Sequence, residues 1–126
     1  MKSYEGGSHC GKARFRVSTD FTRVSQCNCS ICARKGALHQ RVAPDDFELL
    51  AGKEALSLYQ FGTRTAKHYF CSTCGIYPFA HPRTAPELVV VNIRCLDDFA
   101  ELIRGITVVS FDGRNWDEAA RALRKS

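Results

Sequence analysis

Cys27-Asn28-Cys29-Ser30-Ile31-Cys32 and Cys71-Ser72-Thr73-Cys74-Gly75 are the stretches on which the reading of this chain turns. A C-x-C-x-x-C loop that folds back on itself aims three sulfurs at one ion about 2.3 Å away. That leaves a fourth tetrahedral position for a distant residue, a water or a substrate. Three protein ligands with an exchangeable fourth is the build of a catalytic zinc site. The second stretch, C-x-x-C-G, is a knuckle. Its turn orients both sulfurs to one metal, and Gly75 suits a positive φ or a close approach of backbone N–H to sulfur. A knuckle supplies two ligands and needs two more. Cys10, in His9-Cys10-Gly11, is the candidate third, and Ser8, His9 or a water is the candidate fourth.

Two other partitions compete. Cys29, Cys32, Cys71 and Cys74 can be grouped as a single four-cysteine ribbon, which makes the protein a structural module and leaves Cys27 spare. Cys71 and Cys74 can also be read as a redox pair, but that reading calls for a helix start in a βαβ pattern, and Cys71 follows the aromatic run Lys67–Cys71. Cys95 follows an apolar strand and is expected to be a buried spectator.

The rest of the composition fits this picture. The 126 residues predict a single domain, residues 1–126. Seven cysteines is an odd number, and the opening MKSYEGGSHCGKARF has no apolar core of a secretory signal, so clustered thiols in a reducing compartment point to metal and to a cytoplasmic protein. No apolar run is long enough to span a bilayer. The net charge of +5 leaves bound metal and ionised cysteines out of account. With no contiguous basic run, it does not point to a nucleic-acid partner.

Strand signals dominate. Ala13–Thr19 alternates apolar with polar, and Ala37–Ala43 does so less cleanly. Phe47–Leu50, Leu56–Phe61, Lys67–Cys71 and Ile106–Phe111 are further strand candidates. Leu88–Ile93 is the most apolar run and is expected to be a central strand covered on both faces. Short helices are expected over Ser30–Gly36, over Asp97–Ile103, and within Asp112–Lys125 at the C-terminal end. The fold class is mainly β, with metal knuckles at the turns.

Tyr4–Val17, Cys27–Lys35, Tyr59–Gly75, Val91–Asp98 and Phe111–Trp116 (FDGRNW) together give the chain a family resemblance. It resembles the glutathione-dependent formaldehyde-activating enzymes, a family that also includes centromere protein V. The resemblance implies a β-tent fold of antiparallel sheets carrying two zinc sites. It implies a catalytic zinc on Cys27, Cys29 and Cys32, and a structural zinc on Cys10, Cys71 and Cys74. One departure stands out: the family usually reads C-x-C-G near the N-terminus, and here the first of those cysteines is Ser8, which weakens the structural site.

The activity implied is that of a carbon–sulfur lyase of the S-(hydroxymethyl)glutathione synthase type, joining a thiol such as glutathione to formaldehyde or a similar small carbonyl, or the reverse. Zinc ligation deprotonates a bound thiol, and the thiolate is the nucleophile. A zinc ion held by three thiolates is already anionic overall, so positioning the thiol is its main task and polarising the carbonyl a secondary one. Arg34, Lys35, Arg64 and Lys67 are the candidate partners for the carboxylates of the thiol. His39 and His68 read as strand residues, and no general base is assigned. The alternative function is a zinc-stabilised binding protein without turnover.

Overall fold

A computed structural model describes residues 1–21 and 23–125. In chain order its elements are strands β1 (Lys2–Gly7), β2 (Arg14–Thr19) and β3 (Arg23–Cys27), helix α1 (Ser30–Lys35), and strands β4 (His39–Val42), β5 (Phe47–Ala51), β6 (Leu56–Tyr59), β7 (Lys67–Cys71), β8 (Phe79–His81) and β9 (Val89–Asn92). Helix α2 (Phe99–Leu102), strand β10 (Thr107–Phe111) and helix α3 (Trp116–Lys125) complete it. The strands form two sheets. One has three strands in the order β1-β2-β5, and the other has seven in the order β10-β3-β4-β9-β8-β7-β6.

The alternation in β2 buries Phe15 and Val17 and turns Arg16 outward, as a strand with one covered face requires. An aromatic chain carries that buried face across to the larger sheet. Phe15 stacks on Phe47 at 5.6 Å between centroids, Phe47 meets Phe79 at 4.7 Å, and Phe79 stacks on Tyr69 at 5.0 Å. Val24, Val42, Val89, Val91, Ile93 and Leu96 fill the space around it. Side chains of this kind contribute about 1.5–3 kcal/mol each on full burial.

The central strand is β9, between β4 and β8, with all four residues buried. Its one polar side chain is satisfied. Asn92 donates to the Tyr77 carbonyl at 2.9 Å and accepts from the Arg94 N–H at 3.2 Å.

Three strands lie outside the strand candidates read from the sequence. β1 ends in Gly6-Gly7 and is mostly polar, β3 is mostly polar with only Val24 buried, and β8 is three residues long between Pro78 and Pro82. The pairs are antiparallel except one: β10 runs parallel to β3, setting Phe111 opposite Cys27. The expected C-terminal helix begins at Trp116, after a turn over Gly113–Asn115. No described helix is long and apolar enough to cross a membrane.

Candidate functional site

The parallel pairing of β3 and β10 builds the first cysteine trio. β3 delivers Cys27 at its end. Cys29 then caps α1, its sulfur accepting the Cys32 N–H at 3.4 Å, while the Cys27 sulfur accepts the Cys29 N–H at 3.5 Å. The three sulfurs lie within 4.8 Å of one another. A tetrahedral zinc with bonds of about 2.3 Å needs sulfurs roughly 3.8 Å apart, so this donor set fits the ion. Hydrogen bonding from Cys32 pulls the Cys27 thiol down to about 6, helped by backbone N–H groups of Cys29 and Gly113. Cys32 is pushed well up, because it holds the shared proton and because it is desolvated.

The FDGRNW segment laces this loop in place. The Asn28 N–H donates to the Phe111 carbonyl at 3.3 Å, and the Asn28 side chain donates to Asp112 at 3.1 Å and accepts the Arg114 N–H at 3.2 Å. Gly113 sits directly against the trio. A Cβ there would stand 2.6 Å from the Cys27 sulfur and 2.6 Å from the Cys29 Cβ. Gly113→Ala is therefore expected to push the loop away and speed chelator-driven metal release from this trio about tenfold or more, a shift of roughly 1.4 kcal/mol. The second trio's release is expected to stay as it was. Stopped-flow release with a colorimetric chelator measures both phases, and two unchanged phases refute the packing argument.

The second trio joins the two sheets. Cys71 ends β7 and Cys74 follows in the knuckle, with Gly75 at φ 78° and its N–H on the Cys71 carbonyl at 2.7 Å. Cys10 arrives from the turn between β1 and β2, its sulfur 3.5 Å from that of Cys71. Cys10, Cys71 and Cys74 also lie within 4.8 Å of one another. Backbone N–H groups of Cys74 and Thr73 draw the Cys71 thiol down to about 6. Ser8 is buried here, its hydroxyl 3.5 Å from the Cys10 sulfur and accepting the Ala13 N–H at 3.1 Å. His9 is exposed and outside the trio. The single four-cysteine ribbon is not formed: among the described residues the sulfurs gather as two separate trios. Cys95 belongs to neither, and it is half-buried, not fully so. Its thiol donates to the Tyr77 carbonyl at 3.4 Å, and burial pushes it up to about 12.

The first trio opens into a cavity of about 770 Å³, within the range of small-molecule sites. Arg23, Arg41, Arg83 and Arg114 line it, and no Asp or Glu does. The ion pairs among the described residues involve only Arg14 and Arg16, so these four guanidiniums lack carboxylate partners. Arg83 lies 3.7 Å over the Trp116 ring, which leaves its edge N–H groups available. Arg41 is partly buried beside Thr84, to which it donates.

The cations singled out from sequence sit elsewhere. Arg34 is exposed and donates to the Ser30 carbonyl at 2.8 Å; Arg64 occupies an exposed turn; Lys67 is exposed on β7. None of the three lines the cavity, nor does Lys35, although Lys35 reaches two residues that do, His68 and Tyr77. His39 and His68 are strand residues as read, and both also face the cavity. Arg23, Arg41 and Arg83 went unread in the sequence, and Arg114 and Trp116 entered only within FDGRNW, with no site role assigned to them. Arg41 carried a faint signal, as a lone charge inside a strand beside the buried Val42.

A β-rich fold holding two cysteine trios, one of them opening into a cavity, defines a small protein built around thiolate sites able to hold metal. The family model described as glutathione-dependent formaldehyde-activating enzyme matches residues 3–108, and the chain belongs to that family. A Halomonas elongata protein, provisionally named a glutathione-dependent formaldehyde-activating enzyme, is 33% identical over 94 residues. That match covers 68% of this chain and 60% of the Halomonas protein. The crystal structure of a Rhodobacter sphaeroides protein superposes with a TM-score of 0.76 at 40% identity, covering 82% of this chain and 97% of that one.

Proposed function

We propose that the chain is a zinc-dependent carbon–sulfur lyase that adds an anionic thiol such as glutathione to formaldehyde or a similar small carbonyl, or runs the reverse cleavage. The observation that carries this reading is the first trio at the wall of a cavity lined by four arginines and no acid. Cys27, Cys29 and Cys32 are the ligands of the active ion, and Cys10, Cys71 and Cys74, with Ser8 beside them, hold a second, structural one. When bound at the first trio, zinc supplies a position where an incoming thiol loses its proton.

The chain's own residues do the rest. Arg41 and Arg83 take the carboxylates of the thiol in preference to Arg34, Arg64 and Lys67. Arg41 is a partly buried guanidinium without an ion pair, which gains most from an arriving anion, and Arg83, though exposed, lines the same cavity with its guanidinium held over Trp116. Phe111 and Trp116 wall off water. The sulfur–carbon bond forms at the carbonyl carbon, the C=O π pair moves to oxygen, and the oxygen takes the proton given up by the thiol. A purely structural metal module needs neither the cavity nor its arginines, and a binding protein without turnover is told apart by the turnover assay.

The test is turnover by zinc-loaded protein with glutathione and formaldehyde, followed by NMR of the hydroxymethyl product. Arg41→Met is expected to raise KM for glutathione about 10- to 100-fold, the loss of one charge-assisted hydrogen bond of about 1.5–3 kcal/mol. The same variant is expected to handle uncharged 2-mercaptoethanol as the wild type does. Equal losses for both thiols, or no turnover by the wild type, refute the reading.

A further inference from the structure

Beside the first trio lies a polar string that the proposed thiol chemistry has not yet used. The Lys35 Nζ is 2.7 Å from the Nδ1 of His68 and 3.4 Å above the Tyr77 ring. The Tyr77 hydroxyl in turn lies 3.1 Å from the Nε2 of His39, with the two rings edge to face at 87°. Lys35 closes helix α1, which also carries Cys32, while His68 sits on β7. His68, Tyr77, His39 and the three cysteines all line the same cavity.

The protonation pattern of this string follows from hydrogen-bond inventory. An ammonium has donors only, so against Lys35 the His68 Nδ1 must accept. In a neutral imidazole the other nitrogen then carries the proton. Burial, reinforced by Lys35, pushes His68 down to about 4, so the ring is neutral. Burial also lowers Lys35 to about 8, a shift opposed by Cys32 and Cys29, so it is mostly charged at neutral pH. The Nε2–H of His68 has no hydrogen-bond partner among the described residues. The ring is steadied by Phe61, stacked at 5.8 Å, and Tyr77 is held under Lys35 by His39.

We infer that His68 Nε2–H is the hydrogen-bond donor for the oxygen that becomes negative as the thiol adds to the carbonyl, and that Lys35 is the positioning residue that fixes His68 in this tautomer. A neutral imidazole held in one tautomer is an effective electrophile toward a carbonyl oxygen. As the sulfur–carbon bond forms, the π pair moves to oxygen, and the donor meets it with no solvent reorganisation. The proton that finally settles on that oxygen is the one the thiol released. His68 lends a hydrogen bond and is not consumed. This role rests on the thiol-addition reading above.

The experiment uses zinc-loaded protein. Long-range ¹H–¹⁵N NMR of the imidazole is expected to show His68 as the Nε2–H tautomer in the wild type and as a mixture in Lys35→Met. In steady-state assays with glutathione and formaldehyde, His68→Phe is expected to lower kcat about 100-fold or more, the usual loss on removing one oxyanion donor, with KM little changed. Lys35→Met is expected to lower kcat less, and Lys35→Arg to restore much of it. His68→Gln, which keeps an N–H, is expected to recover part of the loss and guards against a folding artefact. An Nδ1–H tautomer in the wild type overturns the inference, and so does an unchanged kcat in both His68→Phe and Lys35→Met. A wild type without thiol addition removes the function reading and the oxyanion role together. A wild type that turns over while the variants match it removes the oxyanion role alone.

Discussion

Cys32→Ser is expected to abolish thiol addition, lowering kcat/KM by about 1000-fold or more, while zinc content falls from two ions per chain to one. A thousandfold loss is about 4 kcal/mol of transition-state stabilisation. The argument is local. The trio's sulfurs lie within 4.8 Å of one another, and Cys32 sits at the start of α1 with the Cys29 sulfur on its N–H. Serine keeps that backbone bond, so the helix cap survives and the sulfur alone is lost. A hydroxyl of ordinary pKa is a poor substitute for thiolate, and two sulfurs do not hold the ion.

The proton inventory gives the same prediction a pH signature. Cys27 is drawn down to about 6, whereas Cys32 is pushed up and keeps its proton in the metal-free trio. Metal uptake must expel that proton, so zinc affinity at this site falls as the pH is lowered, and uptake in weak buffer releases acid. The control is Cys95→Ser. Cys95 lies outside both trios and is hydrogen-bonded to the Tyr77 carbonyl, so its loss is expected to leave zinc content at two. Elemental analysis with parallel kinetics decides the matter. A Cys32→Ser protein that keeps both ions and full turnover refutes the assignment of the site.

What was legible in the sequence was what is local in the chain. C-x-C-x-x-C and C-x-x-C-G each close within one loop, so spacing alone located both groups. Leu88–Ile93 announced a strand covered on both faces because four consecutive apolar residues have no other home, and β9 is that strand. The cavity was not legible for the opposite reason. Arg23, Arg41, Arg83 and Arg114 come from separate segments, and only the order β10-β3-β4-β9-β8 brings them around one space. A lone arginine in a strand or loop reads as a solvated charge, which is the common outcome. Arg34 and Lys35 drew attention by adjacency to the cysteines, yet on α1 successive side chains diverge. Arg34 turns back to its own helix while Lys35 reaches His68. Similarly, β3 is too polar to announce itself, and it forms because β4 and β10 flank it.

Removing the second trio is expected to cost stability more than chemistry. Cys10 sits in the turn of the β1-β2 hairpin, and Cys71 ends a strand of the larger sheet, so an ion shared by them would tie the two sheets at one edge. The aromatic chain from Phe15 to Tyr69 ties them elsewhere. Near the second trio, the only side-chain hydrogen bond across this seam among the described residues, besides those of the trio, is Lys12 to Thr73 at 3.2 Å, which is exposed and weak. Structural zinc contributes folding free energy directly, on the order of 10 kcal/mol apparent in small domains. Here a packed core shares the task. Cys71→Ser is therefore expected to cost about 3–5 kcal/mol, comparable to breaking a native cross-link, and to lower Tm by roughly 10–20 °C. Below that lowered Tm the variant is expected to retain the first zinc and most of its kcat. Ser8→Cys is the converse change. It offers a fourth sulfur beside Cys10, where the hydroxyl now stands 3.5 Å away. Its expected result is slower chelator release from the second trio and a Tm above wild type. Calorimetry on both variants, each with its zinc content measured, separates the two trios. If Cys71→Ser melts with the wild type while its zinc is lost, the sheets are held by their core alone and the second ion has no structural task.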